Sequence, residues 1–158
     1  MKVALVIFFI TLFLGLAGGH YKPQLPLSGE KIAIPLFVNE TFKEDIEEIV
    51  TQEVINQFML RTTLQIVSES KARYIIKGKI LRYIKEPTLV NTTGGDYKIT
   101  IEIVATFFSC KPEKKLWEEE VSRSVVCPSF ETEREMVKKI SRDIGEELVN
   151  LTLERLKR

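Results

Sequence analysis

Along residues 31–38 the apolar positions alternate. Ile32, Ile34, Leu36 and Val38 share one parity, the period of a half-buried strand, and Pro35 withholds a ladder donor, which places that strand at or near a sheet edge. The period then lengthens: Phe42, Ile46, Ile49, Val50, Val54 and Phe58 fall at helical spacing, and Thr41 with Glu44 reads as a capping box. Together they predict an amphipathic helix over 42–60. Thr63–Val67 predicts a short strand and 72–85 a longer one. Glu86–Asp96, with Pro87, Asn91, Gly94 and Gly95, predicts a long hairpin loop.

Residues 97–109 alternate most cleanly. Tyr97, Ile99, Ile101, Ile103, Ala105 and Phe107 form one face, and the opposite face is polar at its start and apolar toward Phe108. Lys111–Lys115 predicts a tight basic turn, and 116–126 a returning strand with Trp117, Val121 and Val125 on one side. Thr132 and Glu135 open a second helix of about 25 residues, marked by Met136, Val137, Ile140, Ile144, Leu148, Leu151 and Leu156 and closed by Arg155, Lys157 and Arg158 against its negative end. The order of elements predicts an α+β fold: a two-layer sandwich whose mixed, mainly antiparallel sheet of 4 to 5 strands carries two helices on one face.

The first residues follow a different pattern. Lys2, the unbroken apolar run Val3–Leu16 and the small residues Ala17, Gly18 and Gly19 read as an export signal over 1–19, leaving 20–158 as a single domain. Three forms of that segment are open: a cleaved secretory signal, a lipoprotein signal lacking its cysteine, and an uncleaved anchor. All three place the remainder outside the cytoplasm.

Removing Lys2 with the leader leaves 22 basic against 22 acidic residues, a balance that argues against a nucleic-acid or general polyanion binder. Cys110 and Cys127 invite a disulfide in an oxidising compartment. The predicted hairpin instead separates them by roughly 30 Å at about 3.3 Å per residue, which favours two free, mostly buried thiols.

No catalytic constellation is present. His20 is the sole histidine and lies at the processing site, no nucleophile elbow, P-loop or metal-binding motif occurs, and the cysteines make neither a metal set nor an activated pair. The acidic groups 44–48 and 131–135 suit opening helix turns, and Glu118–Glu120 alternate across a strand. The chain is therefore read as a non-enzyme without a cofactor or a metal. Basic residues are more informative. On simple alternation Lys77, Lys79 and Lys85 share a strand face with Ile75, Leu81 and Tyr83, an amphipathic surface suited to a ligand or a partner.

Taken in order, Ile32–Thr41, Ile46–Thr51, Gly78-Lys79-Ile80, Asp96–Ile99 and Leu116-Trp117-Glu118 resemble the LptE lipopolysaccharide-assembly lipoproteins, collinearly over nearly all of 19–126. The resemblance implies a non-catalytic protein on the periplasmic side of the outer membrane that binds lipopolysaccharide and plugs, and helps to assemble, a partner β-barrel. Gly19 stands where the family carries its lipidated cysteine, so no lipidation site is expected. Asn91 and Phe130 fall near positions where relatives carry basic ligand contacts. The candidate lipopolysaccharide-binding residues, chosen on chemistry and location, are Arg82, Lys85, Lys98, Lys114 and Lys115. The alternative class is a periplasmic binding or regulatory module acting on a soluble envelope partner through the same sheet face.

Overall fold

The computed structural model describes residues 29–88, 96–128 and 130–157; the leader 1–19 with Gly19, and residues 89–95 of the expected hairpin loop, lie outside the described residues. The elements are β1 (Lys31–Ala33), β2 (Val38–Asn39), α1 (Ile46–Arg61), β3 (Gln65–Ile66), a 3-10 turn (Glu69–Lys71), β4 (Tyr74–Pro87), β5 (Tyr97–Cys110), β6 (Glu113–Cys127) and α2 (Glu133–Leu156). The strands form one six-stranded sheet in the order β3-β1-β4-β5-β6, with β2 following β1 along the same edge of β4. β1 pairs parallel to β3 and β4, and β2 parallel to β4, while β4, β5 and β6 are antiparallel. Both helices pack on one face. The architecture is the expected α+β fold.

The core lies between that sheet face and the helices. Ile99, Ile101, Ile103, Ala105 and Phe107 of β5 are all buried, against Val50, Val54 and Phe58 of α1 and Ile140, Ile144 and Leu148 of α2. Each large apolar side chain so buried contributes about 1.5–3 kcal/mol, and the row in β5 makes that strand the spine of the domain. The helices approach closely at Gly145, where an added Cβ would meet Val54 Cα at 3.1 Å. Cys110 and Cys127 are free thiols at opposite ends of the β5–β6 hairpin, paired in register with Glu113 and Tyr97.

Four local expectations need correction. Residues 31–38 are not one strand: the segment breaks after Ala33 at Pro35, and β2 begins only at Val38. The parity of the alternation reverses there, because Phe37 turns into the core while Leu36 and Val38 stay exposed. Phe37 is fixed by its N–H, which donates to Thr51 Oγ1 at 2.9 Å, and by its ring lying over Gly78. This break adds the sixth strand.

The first helix starts at Ile46 rather than 42. Thr41 does not cap it. Its hydroxyl donates to Asn39 Oδ1 at 2.8 Å and accepts from Lys43 N–H at 3.1 Å, and Asp45 in the left-handed region (φ 61°) turns the chain into the helix. Local side-chain bonds of this kind compete with helix formation, and Phe42 is left fully exposed instead of joining the core. The second cap is as expected: Thr132 Oγ1 accepts from Glu135 N–H at 3.3 Å.

The basic turn is Lys111-Pro112 alone, since Glu113, Lys114 and Lys115 already pair with Cys110, Ser109 and Phe108. Finally, a bulge at Leu81 shifts the β4–β5 register between Ile80 and Arg82. One extra residue reverses the faces beyond it. Lys77 and Lys79 lie on the uncovered face as expected, but Tyr83 packs against the core and Lys85 goes with it to the helix side.

Candidate functional site

The uncovered sheet face is a mosaic of charge. Opposed in register across β4, β5 and β6 stand Glu86, Lys98 and Val126; Ile84, Thr100 and Ser124; Arg82, Glu102 and Ser122; Lys79, Val104 and Glu120; Lys77, Thr106 and Glu118; and Ile75, Phe108 and Lys115. Its cations are mostly neutralised within the face. Arg82 pairs with Glu102, Lys98 with Glu86 at 2.6 Å, Lys79 with Glu40 at 3.3 Å and Lys115 with Glu118 at 3.2 Å. Lys115 and Thr106 together hold the Glu118 carboxyl below its usual range, Thr106 contributing most. Lys77 lies over the Phe108 ring at 6.0 Å. Such a surface offers alternating hydrogen-bonding and apolar groups without a strong field of either sign.

A different arrangement occupies the end from which the β4–β5 hairpin loop leaves. Glu133, the first residue of α2, gathers three side chains on one carboxylate: Lys43 Nζ at 2.5 Å and Tyr83 Oη at 2.9 Å on Oε1, and Lys85 Nζ at 2.7 Å on Oε2. Lys85 also stands 4.0 Å above the centre of the Tyr97 ring. Bonds from Lys43 and then Lys85, aided by Tyr83, hold the Glu133 carboxyl down to about 2. Burial, and then the Glu133 carboxylate, push the Tyr83 hydroxyl above its ordinary range.

Several local causes assemble this cluster. The Asn39–Thr41–Lys43 turn aims Lys43 back over the sheet, and the Leu81 bulge brings Tyr83 and Lys85 to the helix side. The Thr132 cap starts α2 where Glu133 can meet them, at the positive end of the helix dipole. Lys43 and Lys85 share the Glu133 carboxylate and Lys98 pairs with Glu86, and the exposed Phe42, Val126 and Phe130 add apolar surface to this end. It can meet an anionic group through Lys43, Lys85 and Lys98 and an apolar one through these neighbours.

The five candidate residues do not converge. Lys85 and Lys98 occupy the hairpin end on opposite faces, and Arg82 lies a short way along the uncovered face from Lys98. Lys114 and Lys115 sit beside the Lys111-Pro112 turn, roughly 30 Å away at about 3.3 Å per residue. Sequence reasoning missed Lys43 and Glu133 and set Tyr83 on the wrong face of its strand. Glu133 was legible only as a helix-opening acid, and no local signal ties it to Lys43, which is 90 positions earlier.

A family model described as lipopolysaccharide-assembly, LptE, matches residues 30–152. No curated protein matches the chain. Among solved structures, the hypothetical protein CT253 of Chlamydia trachomatis is similar with TM-score 0.64 at 9% identity, over 82% of this chain and 98% of that one. Protein XCC0632 of Xanthomonas campestris gives 0.64 at 11%, over 84% and 89%, and lipoprotein GNA1162 of Neisseria meningitidis 0.52 at 9%, over 77% and 99%. At these identities the likeness is one of fold.

Proposed function

The chain belongs to the LptE lipopolysaccharide-assembly family, and from that premise we propose that it is a non-catalytic component on the periplasmic side of the outer membrane that binds lipopolysaccharide and plugs a partner β-barrel, assisting its assembly. Membership itself gives the coarser role, in lipopolysaccharide assembly at the cell envelope. The observation that carries the finer reading is the division of the surface into two chemistries. The hairpin end combines Lys43, Lys85 and Lys98 with exposed aromatic surface, the pairing that a phosphorylated lipid requires. The uncovered sheet face carries matched charges and hydroxyls, suited to the polar inner wall of a barrel.

In this reading Lys98 and Lys85 meet phosphate groups by exchanging their carboxylate partners, and Arg82 extends the same surface along the sheet. Lys114 and Lys115, at the opposite end, meet the barrel rather than the same lipid headgroup. The experiment is a titration of the purified mature chain with lipopolysaccharide. Saturable binding weakened by Lys98→Glu supports the reading, and binding indifferent to that change removes the hairpin end as the site.

A further inference from the structure

Next to the Glu133 cluster, the edge of β4 is bare. β1 and then β2 pair along it as far as Asn39 opposite Ile80, Glu40 N–H donates to Ile80 C=O at 3.0 Å, and beyond that no described strand follows. Segments 40–43 and 81–84 there enclose an open groove of about 490 Å³. Phe42, Leu81 and Ile84 give it apolar walls, Lys43 and Arg82 stand on it as cations, and Glu40 is its one carboxylate. The volume falls in the range of small-molecule sites, about 300–1,000 Å³.

Phe42 is the unusual element. It is fully exposed, belongs neither to α1 nor to the core, and is held in place by the Asn39–Thr41–Lys43 turn. Each charge in the groove has a partner outside it, Glu40 with Lys79, Lys43 with Glu133 and Arg82 with Glu102, so an anionic head would enter by exchange with Glu102 and Glu133, and Arg82 keeps 63% of its side chain open to solvent. An apolar trough beside two cations complements an amphiphile with an anionic head. The Leu81 bulge interrupts the regular ladder that an added peptide strand would need, and makes no use of Phe42.

We infer that this groove holds one acyl chain of a phosphorylated glycolipid, packed along Phe42, Leu81 and Ile84, with a phosphate between Arg82 and Lys43. The inference rests on the lipopolysaccharide reading and adds to it a place for the chain. The probe is dodecyl phosphate below its micelle-forming concentration, titrated calorimetrically into the mature chain, with inorganic phosphate, an octapeptide of alternating valine and threonine, and lipopolysaccharide before and after deacylation as further arms.

The expected result is 1:1 binding of dodecyl phosphate, at least tenfold weaker for Phe42→Ser and for Arg82→Ala. Intact lipopolysaccharide should show the same loss with Phe42→Ser, and deacylated material should not. Because Phe42 touches no core, its replacement should leave the melting temperature unchanged. Dodecyl phosphate binding no tighter than inorganic phosphate, affinity unaltered by Phe42→Ser, or binding of the peptide alone would overturn the proposal. Lipopolysaccharide binding that is sensitive to Lys98→Glu but indifferent to Phe42→Ser overturns the groove and leaves the broader reading standing.

Discussion

Lys43 Nζ lies 2.5 Å from Glu133 Oε1, joining the turn before the first helix to the opening residue of the last. Through the same carboxylate, Tyr83 and Lys85 fasten both segments to the far half of β4. The hairpin end, which carries the proposed lipid contacts, is therefore held by a polar clasp in addition to the core packing of Tyr83, Tyr97 and Ile99.

That clasp makes stability depend on acid. Glu133 titrates at about 2 in the folded chain against an ordinary value of 4.5. A depressed carboxylate contributes fully above the unfolded value, and its contribution is lost as pH falls from about 4.5 through about 2. Solvent around the half-exposed lysines limits it to about 1–2 kcal/mol. Urea denaturation of Glu133→Gln should show that deficit at pH 7 and its disappearance near pH 2. A deficit independent of pH would mean that the charge of Glu133 carries none of it and would contradict the clasp.

Gly78 is required by Phe37. A Cβ at residue 78 would stand 2.2 Å from Phe37 Cε2, and that ring is itself buried at the break between β1 and β2. Gly78→Ala should destabilise the domain by about 1–3 kcal/mol through overpacking, even though alanine suits a strand better than glycine. Pairing it with Phe37→Leu should recover part of the loss. Equal stability of Gly78→Ala and the parent, by thermal or chemical unfolding, would contradict the packing described.

The two lysines of the hairpin end should separate in stability. Among the described residues Lys98 pairs with the exposed Glu86 and with no wider network, so Lys98→Glu should leave the melting temperature within about a degree of the parent. Lys85→Glu sets a carboxylate against Glu133 and should cost about 1–2 kcal/mol. Both should weaken lipopolysaccharide binding severalfold. Differential scanning calorimetry beside the binding titration checks the pair, and equal melting temperatures for the two variants would place Lys85 on the uncovered face after all.

What could be read from the sequence was what local periodicity determines. The buried row from Ile99 to Phe107 and the long helix from Thr132 onward follow from spacing and a capping residue alone, and both stand as expected. The Leu81 bulge does not, because a bulge is a property of two paired strands and nothing in β4 alone marks it. From it came the misplacement of Lys85. The capping box at Thr41 misled for a related reason: its hydroxyl had a nearer partner in Asn39, a competition that spacing does not reveal. The clasp was least legible, since its four members come from three separate parts of the chain.

Whether this protein works as the plug of a lipopolysaccharide-assembly barrel is tested by purifying it from the detergent-solubilised envelope of the organism that encodes it. Mass spectrometry then identifies what accompanies it and reads the mature N-terminus. A plug should bring down a large β-barrel protein in equal amount, with lipopolysaccharide in the same preparation. A soluble periplasmic partner and no barrel would contradict it.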